Sequence, residues 1–142
     1  MNRPWGFSLI ELVVVMVIAA ILAALAIPRF TDSESKATWF HEQVKAGVRY
    51  AQRQAVAQRR CVFVSVSAAQ LQLFYGDAAC GITATPLTQL TTGAPYVLDA
   101  PTGVVMSAAN FSFNGLGQPS PGVTFNVGGK PVTVTTETGY VP

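Results

Sequence analysis

Hydrophobic positions fall along this chain in three successive periods, and each change of period marks a boundary. From Gly6 to Pro28 nearly every position is apolar, and Glu11 is the one charge. The part from Phe7 to Ile27 is 21 residues long. As a helix rising about 1.5 Å per residue it spans about 30 Å, the thickness of a bilayer's hydrocarbon core. The run is therefore expected to cross a membrane once. Pro28 either kinks this helix or ends it.

The second period is 3.6. A polar break, Arg29 to Lys36, offers Thr31, Asp32 and Ser33 as helix caps, with Glu34 placed for a first turn. Ala37, Phe40, Val44, Val48, Ala51 and Ala55 then recur every three or four residues, which predicts an amphipathic helix to about Gln58. The alanines at its far end would let a sheet approach closely. The expected arrangement is one long helix, kinked or broken near Pro28, whose second half lies against a β-domain.

At Cys61 the period drops to two. Cys61 to Ser67 is a β-branched run and Leu71 to Tyr75 alternates like its partner, which predicts a hairpin. Gly76 to Gly93 reads as loop with at most one short strand. Further strands are predicted at Tyr96–Leu98, Gly103–Met106, Asn110–Phe113, Val123–Val127, Pro131–Thr135 and Gly139–Val141, with Gly128-Gly129 as a tight hairpin turn. A helix followed by short antiparallel strands is an α+β fold.

Composition changes this picture in two ways. Of 142 residues half are hydrophobic, a fraction inflated by the first run, so the roughly 110 residues beyond it suffice for one small domain and not for two. Only 11% are charged and the formal net charge is +2, so no global field draws the chain to nucleic acid or an anionic surface. Five basic residues nevertheless gather between Lys45 and Arg60. The only cysteines, Cys61 and Cys80, lie beyond the membrane run in an expected oxidising space, where a single disulfide is the economical reading.

Glu11 sits where a carboxylate is costly, on the order of 2.5–3.5 kcal/mol at mid-membrane and less near the interface. It is expected to have a cationic partner. Arg3 is the only basic residue before the run, and the positive-inside rule keeps such a leader in the cytoplasm and the rest of the chain outside. A secretory signal has an apolar core of about 7–15 residues and a small-residue cleavage site. Ala24-Leu25-Ala26 supplies such a site, but neither the run's length nor Glu11 suits that reading. A plain anchor has no need of Gly6 or Glu11.

A short basic leader ending in Gly6, then Phe7, then Glu11 within a hydrophobic helix, resembles the class III signal of type IV pilins and pseudopilins. The resemblance implies cleavage after Gly6 by a prepilin peptidase, N-methylation of the new Phe7 terminus and retention of the apolar helix as an assembly stem. Glu11 matches the carboxylate that pairs with a neighbouring subunit's N-terminal amine, and Pro28 matches the family's helix kink. It also implies the pilin-like fold. The organisation expected is a leader at 1–6, a transmembrane and assembly helix at 7–28, an amphipathic helix at 29–60 and a β-rich domain at 61–142. The location implied is the bacterial inner membrane, single-pass with the C-terminal domain in the periplasm, and then a pilus or pseudopilus. The implied partners are other pilins, the peptidase and membrane lipid.

Phe111-Ser112-Phe113-Asn114-Gly115-Leu116-Gly117-Gln118-Pro119 is similar to the F-x-F-x-x-L-G-R-P turn of the GspH/FimT group of minor pilins and H-type pseudopilins, with Gln118 in place of the usual arginine. The ending Glu137-Thr138-Gly139-Tyr140-Val141, with Arg49-Tyr50-Ala51-Gln52 and Ala57-Gln58-Arg59-Arg60, resembles minor pilins of mannose-sensitive haemagglutinin type systems. Ala68 to Ala109 carries no such match.

Candidate chemistry is sparse. His41 is the only histidine, and Asp77, Asp99 and Glu137 are too scattered for a paired-carboxylate site, so neither enzyme activity nor a cofactor is expected. Glu137 is alone in the last 43 residues, so no calcium loop is expected either. Lys45, Arg49 and Arg53 recur at four-residue spacing, and Arg59 and Arg60 extend them into a stripe that can meet phosphates. Some FimT-like minor pilins take up DNA, so nucleic acid is the rival partner, while a solvated helix face needs no ligand. Trp39 and Tyr140 are either core or subunit contacts.

Overall fold

A computed structural model of the chain describes residues 8–26 and 33–142. Helix α1 spans Leu9–Ala26 and helix α2 Ser33–Gln58. Eight strands follow: β1 (Val62–Val66), β2 (Gln70–Gly76), β3 (Ile82–Pro86), β4 (Val97–Asp99), β5 (Ala109–Phe113), β6 (Pro119–Ser120), β7 (Val123–Val127) and β8 (Lys130–Val134). The expected kink at Pro28 lies outside the described residues.

The periodic face of α2 is the one that is buried. Phe40, Val44, Val48, Ala51 and Ala55 are all 1% exposed or less. Opposite them stands an antiparallel sheet in the order β3-β2-β1-β5-β6, with β4 also paired to β2. Its inward residues alternate as the pleat requires: Val62, Val64 and Val66 from β1, Leu71 and Leu73 from β2, Phe111 and Phe113 from β5. The hairpin β7–β8 adds Phe125, Val127, Val132 and Val134 to the same core. Gly47 gives the helix room, since a Cβ there would lie 3.1 Å from the Tyr96 hydroxyl.

Helix α2 stops by a backbone device that usually uses glycine. Arg59 takes a left-handed conformation (φ 49°), its N–H donates to the Val56 carbonyl (3.3 Å), and the Arg60 N–H donates to the Ala55 carbonyl (3.1 Å). These two bonds satisfy carbonyls that the helix would otherwise leave unpaired.

The predicted hairpin pairs as expected, from Val62 with Tyr75 to Val66 with Leu71, and Gly128-Gly129 links β7 to β8 with both φ angles positive (56° and 82°). The expected strand at Gly103–Met106 is corrected. A turn closes from Val104 N–H to the Pro101 carbonyl with Gly103 at φ 90°, leaving one bridge, Met106 to Val127. The expected strand at Gly139–Val141 is likewise absent: these residues are irregular after a turn at 136–138, where the Thr135 hydroxyl accepts from the Tyr140 N–H (3.0 Å). The segment between Gly76 and Gly93 carries the short strand β3.

Candidate functional site

Two regions stand out from the packed domain. The first is α1. Every residue from Ser8 to Ala23 is exposed, including Leu9 at 80% and Leu22 at 62%, so this apolar stretch of α1 is without cover in the isolated chain. Glu11 lies in its first turn at an exposed position, where a carboxylate suits the positive end of the helix dipole. Among the described residues no helix is long and apolar enough to cross a membrane. The 18 residues of α1 reach ~27 Å, and residues 7 and 27, the ends of the expected run, lie outside the described residues. Gly6 and Phe7, the expected processing residues, also lie outside them.

The second region is the far end of α2, where three separate stretches of sequence are tied together. The Arg49 guanidinium donates from Nε (3.2 Å) and Nη2 (2.9 Å) to the Val141 carbonyl. One turn along, the Gln52 amide nitrogen donates to the Gly117 carbonyl (2.9 Å) and to the Thr138 carbonyl (2.8 Å). An amide NH2 has two hydrogens, and both are used. Gly139, at φ 65°, passes so close that a Cβ would stand 2.5 Å from the Gly117 oxygen. Here only glycine fits.

The turn that Gln52 holds is itself built on Asn114. Its Oδ1 accepts from the N–H groups of Leu116 and Gln118 (3.0 Å each), and its own N–H donates to the Gln118 carbonyl (3.0 Å). A side chain that bonds the backbone two residues on is the Asx-turn device. Gly115 then packs on the end of α2, where a Cβ would lie 2.9 Å from the Arg59 carbonyl carbon. Sequence reasoning placed Gln52 and Asn114 within segments that resemble minor pilins but gave neither residue a role. The signal for the Asn114 turn is an Asn three residues ahead of a glycine between two strand runs; for the clamp made by Gln52 there is only its place in the Arg49-Tyr50-Ala51-Gln52 segment.

The basic stripe divides. Arg49 is part-buried and occupied by Val141, and Lys45, its side chain only 15% exposed, pairs with Glu42 at 3.2 Å. That pairing, above all the Lys45 hydrogen bond, holds the Glu42 carboxyl below its ordinary range. Arg60 lies over the Tyr75 ring, 4.5 Å from its centre, while Arg53 and Arg59 are exposed. His41 donates from Nε2 to the Pro131 carbonyl (3.1 Å) and so ties α2 to β8. Trp39 and Tyr140 are both 62% exposed, neither a core residue. Burial, with a smaller push from Tyr50, raises the Tyr96 hydroxyl pKa where the two rings stack at 5.1 Å. Among the described residues, no three His, Cys, Asp or Glu side chains gather as a metal site.

Cys61 and Cys80 are bonded, which closes β1 and β2 into one covalent loop. Asp77 shapes the turn that delivers Cys80: its Oδ1 accepts from Ala79 N–H (2.9 Å) and Gly81 N–H (2.8 Å).

Residues 6–27 match the family described as the prokaryotic N-terminal methylation motif. In fold, the chain is similar to the type IV minor pilin FimU of Pseudomonas aeruginosa strain PAO1, solved in two crystal forms. One aligns with a TM-score of 0.55 at 17% identity over 77% of this chain and 88% of that one. The other aligns with a TM-score of 0.53 at 21% identity over 77% and 90%. The chain thus carries the prokaryotic N-terminal methylation motif over its apolar helix, and its fold is similar to that of a type IV minor pilin.

Proposed function

We propose that this chain is a non-enzymatic filament subunit, a minor pilin or pseudopilin of the GspH/FimT group, built into a type IV pilus or a type II secretion filament. The observation that carries this reading is α1, an apolar helix exposed from Leu9 to Ala23 and lying within the methylation motif. Such a helix needs either lipid or other helices around it. In the membrane it is an anchor, with the leader 1–6 in the cytoplasm and the domain 61–142 in the periplasm. In a filament the same residues, 7–28, pack against the stems of neighbours, and 29–60 carries the domain outward.

In this reading prepilin peptidase cuts after Gly6 and the Phe7 amine is methylated. Glu11, desolvated among packed stems, pairs with the Phe7 amine of a neighbour. A buried carboxylate is tolerated only when paired, so the pairing selects the register in which stems assemble. The test is the sheared filament fraction of the native host. Glu11→Ala should stay in the membrane and be lost from that fraction, whereas normal incorporation of the variant would overturn the pairing.

A second reading, DNA uptake, is supported by the exposed guanidinium groups of Arg53 and Arg59 beside Arg60. It is weaker, because Arg49 and Lys45 already have intramolecular partners.

A further inference from the structure

At residues 114 and 115 the fold makes two separate demands, and together they produce a reactive pair. The Asn114 Oδ1 accepts from the N–H groups of Leu116 and Gln118 at 3.0 Å each, so the turn needs a short side chain with an acceptor oxygen at that position. The next position needs glycine, since a Cβ on Gly115 would stand 2.9 Å from the Arg59 carbonyl carbon. The outcome is Asn-Gly, and of the four asparagines in the chain only Asn114 precedes a glycine. With no Cβ to shield it, a glycine nitrogen is the backbone nucleophile that reaches a preceding asparagine side chain with least hindrance.

The turn favours that attack. Among the described residues the Gly115 N–H donates to no partner, so its nitrogen is free to react. The side-chain amide has one orientation, with Oδ1 facing the two N–H groups and Nδ2 donating to the Gln118 Oε1 (3.1 Å). Two backbone N–H groups aimed at one carbonyl oxygen form an oxyanion hole, which stabilises the negative charge that collects there when a nucleophile adds to the carbonyl carbon. Their 3.0 Å distances fall within the range of about 2.7–3.1 Å that such donors require. Asn114 and Gly115 also line an open recess of about 770 Å³ together with Val56, Arg59 and Leu116. Water can enter there and ammonia can leave.

We infer that Asn114-Gly115 is a self-modifying site, at which the folded turn promotes loss of the Asn114 side-chain amide. Hydroxide takes the Gly115 amide proton, and the nitrogen forms a bond to Asn114 Cγ while charge collects on Oδ1 between its two donors. The Cγ–Nδ2 bond then breaks. Nδ2 takes a proton from water and leaves as ammonia, which returns the hydroxide, and a succinimide ring joins the two residues. Water opens the ring at either carbonyl. Opening at Cγ gives an aspartate that keeps the acceptor oxygen the turn is built on and adds a negative charge to the recess that Arg59 lines. Opening at the main-chain carbonyl gives an isoaspartyl link, which routes the backbone through the side chain and dismantles the turn.

The test follows full-length protein in detergent at neutral pH, digested at intervals, with peptide mass spectrometry scoring the change from amide to acid at residue 114. A synthetic peptide of residues 111–119 in the same buffer is the reference. Conversion in the folded protein should be at least about tenfold faster than in the peptide, since loss of even one oxyanion-hole donor costs an enzyme about 10²–10³ in rate. Urea sufficient to unfold the domain should remove the difference. A rate in the folded protein equal to or below that of the peptide would overturn the inference and make the same hydrogen bonds a protection of the amide. A fast rate that persists when the domain is unfolded would overturn it too, because the turn would then contribute nothing.

Discussion

Arg49 and Val141 are 92 residues apart in sequence, and the guanidinium of the first holds the carbonyl of the second with two N–H groups at 3.2 and 2.9 Å. The bond pins the last residues of the chain to the middle of α2, where Val141 is itself buried. Hydrogen bonds from a charged donor contribute about 1.5–3 kcal/mol. Arg49→Ala should therefore destabilise the domain by roughly that amount. Thermal unfolding checks this, and an unchanged midpoint would show that the tail is held by other contacts.

Gln52 joins the Asn114 turn to the tail, and its loss strands two carbonyls at once. Gln52→Ala should cost about 1–3 kcal/mol, with increased amide exchange confined to residues near 117 and 138. Gly139→Ala should cost more than Gln52→Ala, because it adds a side chain where the Gly117 oxygen already stands. Chemical denaturation of the two variants ranks them, and the reverse order would contradict the close approach.

The Cys61–Cys80 bond closes a loop across the β1–β2 hairpin. Replacing both cysteines with serine should cost about 2–4 kcal/mol, and a reductant should lower the unfolding midpoint of the native protein and not of the variant. Equal midpoints with and without reductant would mean that the thiols are unpaired in the protein as isolated.

The Glu42 carboxyl lies below its ordinary value of 4.5 because Lys45 favours its charged form. The sign follows from that direction: the stabilisation is present above the ordinary carboxylate pKa and is lost as the pH falls through the lower folded value. The Glu42 side chain is exposed, so the effect on stability is small. Titration of the Glu42 side-chain signal by NMR should give a pKa below 4.5 that rises on Lys45→Ala. No response to that substitution would remove the pair as the cause.

DNA binding, if present, must use the arginines that are exposed. Replacing Arg53, Arg59 and Arg60 with alanine together should abolish salt-sensitive binding to duplex DNA, with Arg49 left in place as the clamp. Binding undiminished in that triple variant, or none at low salt in the native protein, would remove this patch as a nucleic-acid site.

The elements were legible wherever one period ran long enough to be read against a single face. Phe40 to Ala55 on α2 and Val62 to Val66 on β1 are buried at the positions their spacing indicates, because burial of one face is what produces such spacing. The Gly128-Gly129 turn was legible for a different reason, since two successive positive φ angles demand those residues. What a face packs against is not in the spacing. Lys45, Arg49 and Arg53 read as one basic stripe, yet Arg49 meets a carbonyl supplied from the far end of the chain. Gly103–Met106 had the composition of a strand, but Pro101 and Gly103 turn the chain before it can pair. The role of Gln52 was hidden because a glutamine on a helix is ordinary, and its two partners lie 65 and 86 residues away.

The central claim is that α1 is retained as an assembly stem. Intact mass and N-terminal sequencing of the protein from membranes of its native host test it most directly. The account predicts a chain that begins at an N-methylated Phe7 and keeps every residue after it. A chain that begins at Ile27 would make the apolar run a discarded signal, and the filament subunit would lose its stem.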